Sequence, residues 1–422
     1  MILIKDGRVV DPKRGIDDVL DLLIEDGKIK KIGKYQRSDD YERIVEAKGL
    51  IVAPGLIDVH VHFRDPGFEY KEDIVSGSRA AARGGYTTVI CMANTKPVAD
   101  NSDTIHYILE KAAGCDVNVL TCGSITKGLK GEELVNMEEL KACGAVGFTD
   151  DGIPLMDEKL TKAAMEEAKR LDVPLSFHEE GKAFIETPGV NQGKVSEKLG
   201  LGGAPALAED VLVARDCMLA LHTGAKVNIQ HISSANSVQL VRLAKEMGAH
   251  VTAEVTPHHF SLNEDAVLTK GTLAKMNPPL RTRADRYELI EGIKDGTIDI
   301  IATDHAPHSK EEKERPFTEA PSGIIGLETA LGLGITKLVR KGHVTVMQLM
   351  EKMSLNPAKL YNLNKGYIEE GADADLVIFS EGEQWTVDEH FASKACNSPF
   401  IGEKLYGKVK YTICRGKIVY EF

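Results

Sequence analysis

Short β-type runs and longer helix-type stretches alternate through the middle of this chain. Eight runs rich in apolar and β-branched residues are short enough to be strands, and they span residues 56–62, 86–94, 117–124, 144–149, 173–178, 226–231, 250–256 and 298–304. Between them lie stretches with apolar residues at three- and four-residue intervals, such as 157–171, 206–222, 237–247 and 283–294. Eight strand-then-helix units predict an α/β fold of the (β/α)8, TIM-like barrel type.

The two ends of the chain share a different pattern. Residues 2–32, 373–378 and 409–420 hold short β-type runs without a long helical period. The runs are broken by turn-forming pairs, namely Asp6-Gly7, Asp26-Gly27 and Arg415-Gly416. We therefore predict a small composite β-sandwich domain from residues 1–52 and 365–422. The barrel would then occupy residues 53–364.

Composition and charge narrow the class of protein. A net charge of -12 over 422 residues argues against a nucleic-acid surface, so an anionic substrate would need a local basic group. The seven cysteines are odd in number and form no Cys-x-x-Cys, which is typical of reduced thiols in a cytoplasmic protein. The first residues are charged too early for a signal peptide. No run of about 18 apolar residues occurs, so we expect no membrane partner.

The most informative motif is His60-x-His62-x-Arg64, which follows an apolar run. Side chains alternate along a strand, so these three residues are predicted to share one face. Two imidazoles at this spacing can bind one metal ion, and a guanidinium beside them can hold an anion. An isolated motif of this kind is equally compatible with a polar strand end that carries two solvated histidines.

Further candidate ligands follow other predicted strands. Asp150 and Asp151 come after the fourth strand, His178 after the fifth, His231 after the sixth and Asp304 after the eighth. In a barrel these ends meet at the rim that carries the active site. Six mixed imidazole and carboxylate ligands suit two zinc ions bridged by a carboxylate, which would generate hydroxide as the nucleophile. Asp304 could also move the proton of that water to a leaving nitrogen, as general acid and base.

These candidate ligands and the segments around them make the chain resemble the amidohydrolase superfamily. Within that superfamily it resembles the bacterial class I dihydroorotases. The segments that carry the resemblance are Asp58-Val-His-Val-His-Phe-Arg-Asp-Pro-Gly67, Met92-Ala-Asn-Thr-Lys-Pro97, Phe148-Thr-Asp-Asp-Gly152, Met276-Asn-Pro-Pro-Leu-Arg281, Ala302-Thr-Asp-His-Ala-Pro-His308 and Asn397-Ser-Pro-Phe400. Together they span nearly the whole chain. Any one of them alone would be weak evidence.

The resemblance implies a zinc-dependent cyclic amidohydrolase. Its reaction would be the reversible cyclisation of N-carbamoyl-L-aspartate to L-dihydroorotate in pyrimidine synthesis, with one or two Zn²⁺ per chain. It implies that one zinc is held by His60, His62 and Asp304, the second by His178 and His231, and that Asp151 bridges them. It further implies that the substrate carboxylate is bound by Arg64, Asn94 and His308, and the ring amide by Asn277.

Two positions depart from the pattern of the relatives. Many relatives bridge the metals with a carboxylated lysine where this chain has Thr149. Asp151 is the expected substitute, with Asp150 as a competitor that could instead cap a loop. The relatives often have Cys or Ala where this chain has Glu179, and lone acidic residues are usually solvated or structural. If Glu179 turned inward it would disturb the second metal, so occupancy of that site stays open.

Other polar residues have structural alternatives. Asn94 and Asn277 stand before proline-containing turns and could be turn formers. His305 should point away from its neighbour Asp304 on a strand, which favours a structural role. The segment 321–326 could offer backbone N–H groups to a substrate, or could be an ordinary glycine-rich helix entry.

Two other functions compete with the first. One is a cyclic-amide hydrolase of another specificity, such as a hydantoinase or allantoinase. The other is a metal-free scaffold subunit. Arg64, His308 and the missing bridging lysine favour the dihydroorotase interpretation. The expected partner is a small-molecule substrate, and the resemblance also allows a homo-oligomer or a complex with aspartate transcarbamoylase.

Overall fold

A computed structural model describes residues 1–38 and 40–422. The strands, numbered in chain order, are β1 (Ile2–Asp11), β2 (Ile16–Glu25), β3 (Lys28–Gly33), β4 (Arg43–Glu46), β5 (Ile51–Pro54), β6 (Leu56–Val61), β7 (Tyr86–Cys91), β8 (Asn118–Thr121), β9 (Phe148–Thr149), β10 (Leu175–Phe177), β11 (Val227–Ile229), β12 (Val251–Val255), β13 (Ile300–Ile301), β14 (Leu376–Thr386), β15 (Lys404–Cys414) and β16 (Lys417–Glu421). Strands and helices alternate in the middle of the chain, which confirms the α/β class.

The strands β6 to β13 form two parallel sheets, β6-β7-β8 and β9-β10-β11-β12-β13. Two isolated parallel bridges join them, one between Gly123 and Phe148 and the other between Val61 and His305. The result is a closed ring of eight parallel strands. Every strand predicted for the middle of the chain is present and is shorter than predicted at one end or at both.

The helices lie mainly between these strands. They are α1 (Ile74–Gly84), α2 (Ser102–Ala112), α3 (Met137–Ala142), α4 (Glu158–Leu171), α5 (Lys194–Lys198), α6 (Leu207–Thr223), α7 (Ala235–Glu246), α8 (Pro257–Ser261), α9 (Ala266–Lys270), α10 (Arg283–Asp295), α11 (Lys310–Lys313), α12 (Ala330–Leu333), α13 (Val346–Met350) and α14 (Asn356–Leu360). Capping residues explain several starts: Asp157 caps α4, and Thr282 forms a capping box at α10. The four stretches predicted as helices correspond to α4, α6, α7 and α10.

Both chain ends enter one sheet, in the order β16-β15-β14-β5-β1-β2-β3, with β4 paired to β1. β5 joins the ends, because it pairs in parallel with β1 and antiparallel with β14. The buried side chains of this sheet form an apolar cluster, the interior of the terminal sheet, which includes Leu22, Ile24, Val52, Leu376 and Ile378. Strands from both chain ends therefore lie in a single terminal sheet.

Two of the three predicted breaks are turns. Asp26 and Gly27 have φ of 49° and 77° between β2 and β3, and Arg415-Gly416 makes the same kind of turn before β16. The break predicted at Asp6-Gly7 is wrong. These residues form a bulge inside β1, and a Cβ on Gly7 would lie 2.5 Å from Val52 Cγ2. The glycine is therefore needed for close packing and not for a chain reversal.

None of the helices in the described ranges combines the length and the apolar character that crossing a membrane requires. The seven cysteines are all free thiols.

Candidate active site

A cavity of about 430 Å³ opens at the carboxyl ends of the ring strands. Its lining contains every predicted site residue except one, namely His62, Arg64, Asn94, Asp151, His178, His231, Asn277, Asp304 and His308. The exception is His60, which is fully buried directly beneath the cavity floor. Residues that closely follow six different ring strands are thus brought together with Asn277 and His308 from longer loops, as expected where parallel strands end together.

The first group of donors surrounds a single point on the cavity floor. Asp304 Oδ1 lies 3.0 Å from His62 Nε2 and 3.5 Å from His60 Nε2. Asp151 contributes Oδ1 at 3.3 Å from His60 Nε2 and Oδ2 at 3.4 Å from His62 Nε2. Ligand atoms on a tetrahedral ion with bonds of about 2.0–2.1 Å lie about 3.3 Å apart. The spacing therefore fits a metal of the size of zinc.

A second group shares Asp151 with the first. His178 Nδ1 and His231 Nε2 are 2.9 Å apart. Asp151 Oδ1 lies 3.6 Å from His178 Nδ1 and 3.8 Å from His231 Nε2. The ligand atoms of His60, His62 and Asp151 all lie within 4.8 Å of one another, and so do those of Asp151, His178 and His231. This carboxylate is thus placed to touch two ions at once.

The charge at this floor favours a bound cation. Burial lowers the pKa of His60, but three surrounding carboxylates raise it well above the usual 6.5. They belong to Asp151, Glu254 and Asp304. His60 Nε2 and Asp151 Oδ1 are also buried without a hydrogen-bond partner among the described residues. Because buried polar atoms without partners are costly, the residues present fit one or two divalent metal ions.

Of the two adjacent aspartates, only Asp151 faces the histidines. The carboxylate of Asp150 accepts hydrogen bonds from the backbone N–H groups of Ile125 and Thr126, at 2.7 and 3.1 Å, and from the Thr126 hydroxyl. The carboxylate of Asp150 therefore caps a loop, which is the alternative role that the sequence allowed for it.

Glu179 and Glu180 both lie inside the protein. Glu179 was expected to be solvated or structural, and its buried side chain excludes the first alternative. Burial and the neighbouring Asp216 carboxyl raise its pKa well above 4.5. A structural role for Glu179 agrees with this position. Glu180, which was not assigned, places Oε2 3.0 Å from His178 Nε2.

Oxygen atoms also hold the outer ring nitrogens of two more of the imidazoles. His60 Nδ1 lies 3.1 Å from Glu254 Oε2, and His62 Nδ1 lies 3.0 Å from Asn94 Oδ1. Such partners fix which ring nitrogen is free to bind a metal. Sequence reasoning missed Glu254, although a carboxylate inside the buried strand Val251–Val255 was an available signal.

Arg64 reaches the cavity by a route that strand alternation does not explain. The strand ends at Val61, and Arg64 adopts a left-handed conformation with φ of 60°. Its Nε donates to Pro307 O at 3.3 Å, and Nη2 lies 3.4 Å from His308 Nε2. The guanidinium is thus fixed on the cavity wall beside the metal donors.

His308 and Asn277 meet through one serine. His308 Nε2 donates to Ser322 O at 2.9 Å, and the Ser322 hydroxyl donates to Asn277 Oδ1 at 3.1 Å. Burial, together with the charges of Arg64 and Lys71, lowers the pKa of His308 to about 2. The ring is therefore neutral and its tautomer is set by Ser322.

His305 agrees with its structural interpretation. Its Nε2 lies 3.4 Å from Glu72 Oε2, and its Nδ1 accepts the backbone N–H of Gly326 at 3.2 Å. Thr149, at the position of the bridging lysine of many relatives, is fully buried in the ring.

Comparison with known proteins identifies the class. The amidohydrolase family profile matches residues 51–419, and the chain belongs to this family. It is 66% identical over 420 residues to a dihydroorotase of Clostridioides difficile (strain 630), with both chains covered completely. It is also 56% identical over 422 residues to a dihydroorotase of Clostridium acetobutylicum, again over all of both chains. The resemblance stated from the sequence is confirmed.

Solved structures give the same architecture. The L-hydantoinase (dihydropyrimidinase) of Arthrobacter aurescens matches with a TM-score of 0.88 at 27% identity, covering 100% of this chain and 96% of that chain. A D-hydantoinase from a Bacillus sp. AR9 matches with a TM-score of 0.86 at 25% identity, covering 100% and 95%. The chain therefore shares the fold of these hydantoinases, and a fold alone does not define a substrate.

Proposed function

We propose that this chain is a dihydroorotase, which interconverts N-carbamoyl-L-aspartate and L-dihydroorotate in pyrimidine synthesis. The observation that carries the proposal is the position of Arg64 and neutral His308 on the wall of a cavity whose floor holds the histidine and aspartate donors. A guanidinium binds a carboxylate with two parallel hydrogen bonds, and dihydroorotate differs from unsubstituted cyclic amides by that carboxylate. Full-length similarity to dihydroorotases supports the same substrate.

The donor residues define the metal site of this proposal. His60, His62 and Asp304 would hold one ion, His178 and His231 the other, and Asp151 both. We propose zinc, because imidazole and carboxylate donors at these spacings suit it. When bound, such ions lower the pKa of a water molecule and polarise a carbonyl oxygen.

The substrate would be bound by side chains on the cavity wall, above the donors of the floor. Arg64, Asn94 and His308 would bind the carboxylate of dihydroorotate, and Asn277 would contact the ring amide. The Arg64 guanidinium is already held by Pro307 O, and the Asn94 side chain is held between His62 and Asp151. Groups held in this way lose little freedom when the substrate binds.

Proton transfer is assigned to Asp304. Burial favours the neutral acid, but the imidazoles of His60 and His62 lower its pKa below 3.8, so the carboxylate is ionised. In ring opening, an Asp304 oxygen accepts the proton of the attacking water. It then donates that proton to the ring nitrogen as the carbon–nitrogen bond breaks, which restores the carboxylate. Cyclisation runs through the same positions in reverse.

We also propose the division into two domains. The closed strand ring supports a metal-dependent (β/α)8 barrel over residues 53–364. The terminal sheet supports a composite β-sandwich domain from residues 1–52 and 365–422, although β5 continues to Pro54. A homo-oligomer, a complex with aspartate transcarbamoylase and a cytoplasmic location stay predictions, and co-purification at a fixed ratio would test the complex.

The direct test is turnover of L-dihydroorotate by zinc-loaded protein, with hydantoin as the comparison substrate. We expect turnover of dihydroorotate and little of hydantoin. Arg64→Met should raise KM for dihydroorotate by about tenfold or more, because a bidentate contact to the carboxylate is lost. The matched control is Arg283→Met, whose side chain is 78% exposed.

Other results would contradict the proposal in different ways. Preferential turnover of hydantoin would favour a hydantoinase, the activity named for the similar solved structures. Purified protein without bound divalent metal and without any turnover would favour the scaffold alternative. If Arg64→Met lowered activity on dihydroorotate and on hydantoin equally, Arg64 would not be the residue that binds the carboxylate.

A further inference from the structure

Two lysines of the cavity region are buried. Lys275 is 3% exposed and Lys313 is 4% exposed. Neither forms an ion pair in the part of the chain that the structure describes, and desolvation is the first cause of the lowered pKa of each. An ammonium group without a carboxylate partner is costly to bury, so other contacts must hold both side chains in place.

Both lysines bind the same short segment, residues 317–323. Lys275 Nζ donates to Phe317 O at 2.5 Å and to Ala320 O at 2.7 Å. Lys313 Nζ donates to Pro321 O at 2.9 Å and to Gly323 O at 3.0 Å. Four carbonyl oxygens of one irregular segment are therefore bound by two lysine side chains that come from two different parts of the chain.

The segment is also fixed at its end. Gly323 N–H donates to Lys275 O at 2.9 Å, and Asn397 Nδ2 donates to Gly323 O at 3.1 Å. A Cβ on Gly323, whose φ is 122°, would lie 2.7 Å from Ala306 Cβ and 3.3 Å from His308 Nε2. The backbone is therefore pressed directly against the cavity wall.

The segment in turn holds two of the residues assigned to substrate. Ser322 lies between the two lysine-bound carbonyl groups of Pro321 and Gly323. Its own carbonyl accepts from His308, and its hydroxyl donates to Asn277. Displacement of this segment would release both side chains at once.

We propose that Lys275 and Lys313 are positioning residues for substrate binding, which act through the segment 317–323 on His308 and Asn277. The substrate part of this inference rests on the proposed function. Neither lysine touches the metal donors or takes part in proton transfer. Their loss should therefore weaken binding of ground state and transition state alike, which raises KM and leaves kcat nearly unchanged.

The test uses full-length zinc-loaded protein and the variants Lys275→Met and Lys313→Met. Lys310→Met is the matched control, since it lies on the same helix α11 with a side chain that is 75% exposed. Amide hydrogen exchange of peptides covering 317–323 is measured first, without substrate. We expect exchange in this segment to be about tenfold faster in both buried-lysine variants than in the parent, because local opening of the segment becomes easier. The control variant should exchange at the same rate as the parent.

Steady-state kinetics on L-dihydroorotate complete the test. We expect KM to rise about tenfold in each buried-lysine variant, with kcat within about twofold of the parent. Unchanged exchange would overturn the inference, and so would faster exchange with an unchanged KM. If one variant does not fold, as judged by its melting transition, the other decides. Absence of turnover in the parent refutes the proposed function alone. The exchange data still test whether Lys275 and Lys313 fix residues 317–323.

Discussion

At the mouth of the strand ring the buried side chains include His60, Asp151, Glu254 and Lys313, whereas the interior of the terminal sheet is apolar and includes Ile378. The mouth gathers many ionisable groups with shifted pKa values, whereas the terminal sheet buries few, among them Asp11 and Asp21. Apolar burial stabilises a fold, while buried polar groups cost free energy unless their partners are in place. The difference indicates that the sheet supplies stability and that the mouth is organised for chemistry. Five changes would test this contrast.

The largest effect is expected at the mouth. Asp304→Asn should lower kcat on L-dihydroorotate by about 10³-fold, because a neutral amide cannot accept the proton of the attacking water. The melting temperature should change little, since size and shape are kept. Steady-state kinetics and thermal unfolding measure both, with exposed Asp103→Asn as the control. Retained kcat would remove Asp304 from its assigned role.

The terminal sheet should respond in the opposite way. Ile378 is fully buried and faces Val52 on β5. Ile378→Ala should lower the free energy of unfolding by about 2–5 kcal/mol, because a cavity replaces packed atoms. The kcat of the folded fraction should stay the same. Urea unfolding gives the first quantity, and a large fall in kcat would contradict the separation of roles.

Below the cavity floor, Glu254→Gln should weaken metal binding. The Glu254 carboxylate lies 3.1 Å from His60 Nδ1, where it orients the ring and favours a bound cation. Loss of such a partner typically lowers metal affinity by about tenfold. Competition with a chelator measures zinc affinity directly, and exposed Glu246→Gln is the control. Unchanged affinity would show that Glu254 is only a packing group.

The mouth should also impose a pH dependence of its own on stability. Burial and the charge of Lys275 lower the pKa of Lys313 from 10.5 to about 7, against the opposing effect of Glu312. Between pH 7 and 10.5 the unfolded chain then binds more protons at this position than the folded chain. Stability contributed by this group therefore rises with pH across that window. Urea unfolding at pH 7 and pH 9 should show a steeper rise in the parent than in Lys313→Met, and equal slopes would count against it.

The smallest effect is expected on the outside of the sheet. Glu46 and Arg37 form a 2.6 Å ion pair with side chains 51% and 64% exposed. Glu46→Gln should change the free energy of unfolding by less than about 1 kcal/mol, because exposed pairs are screened by water and salt. A larger loss in urea unfolding would mean that charges, and not the apolar interior alone, stabilise this sheet.

Much of this organisation could be predicted from the pattern of residues. The alternation of apolar runs predicted the eight strands, and the polar residues after them predicted the members of the cavity. Strand ends were predicted too late, because His62, His178 and His231 look like continuations of their strands and instead turn inward. The route of Arg64 could not be predicted, since a left-handed residue breaks the alternation on which the argument depended.

The amino-acid sequence by itself determined the fold class, the amidohydrolase resemblance and the set of candidate ligands, because these depend on periodicity and on residue types at fixed spacings. Only the tertiary structure decided between Asp150 and Asp151, which are adjacent in the chain; contacts with Thr126, distant in sequence, occupy one and leave the other free. It also revealed Glu254 beneath His60 and the two lysines behind Ser322. Such partners come from separate parts of the chain, and no local pattern records which carbonyl or imidazole a buried charge will meet.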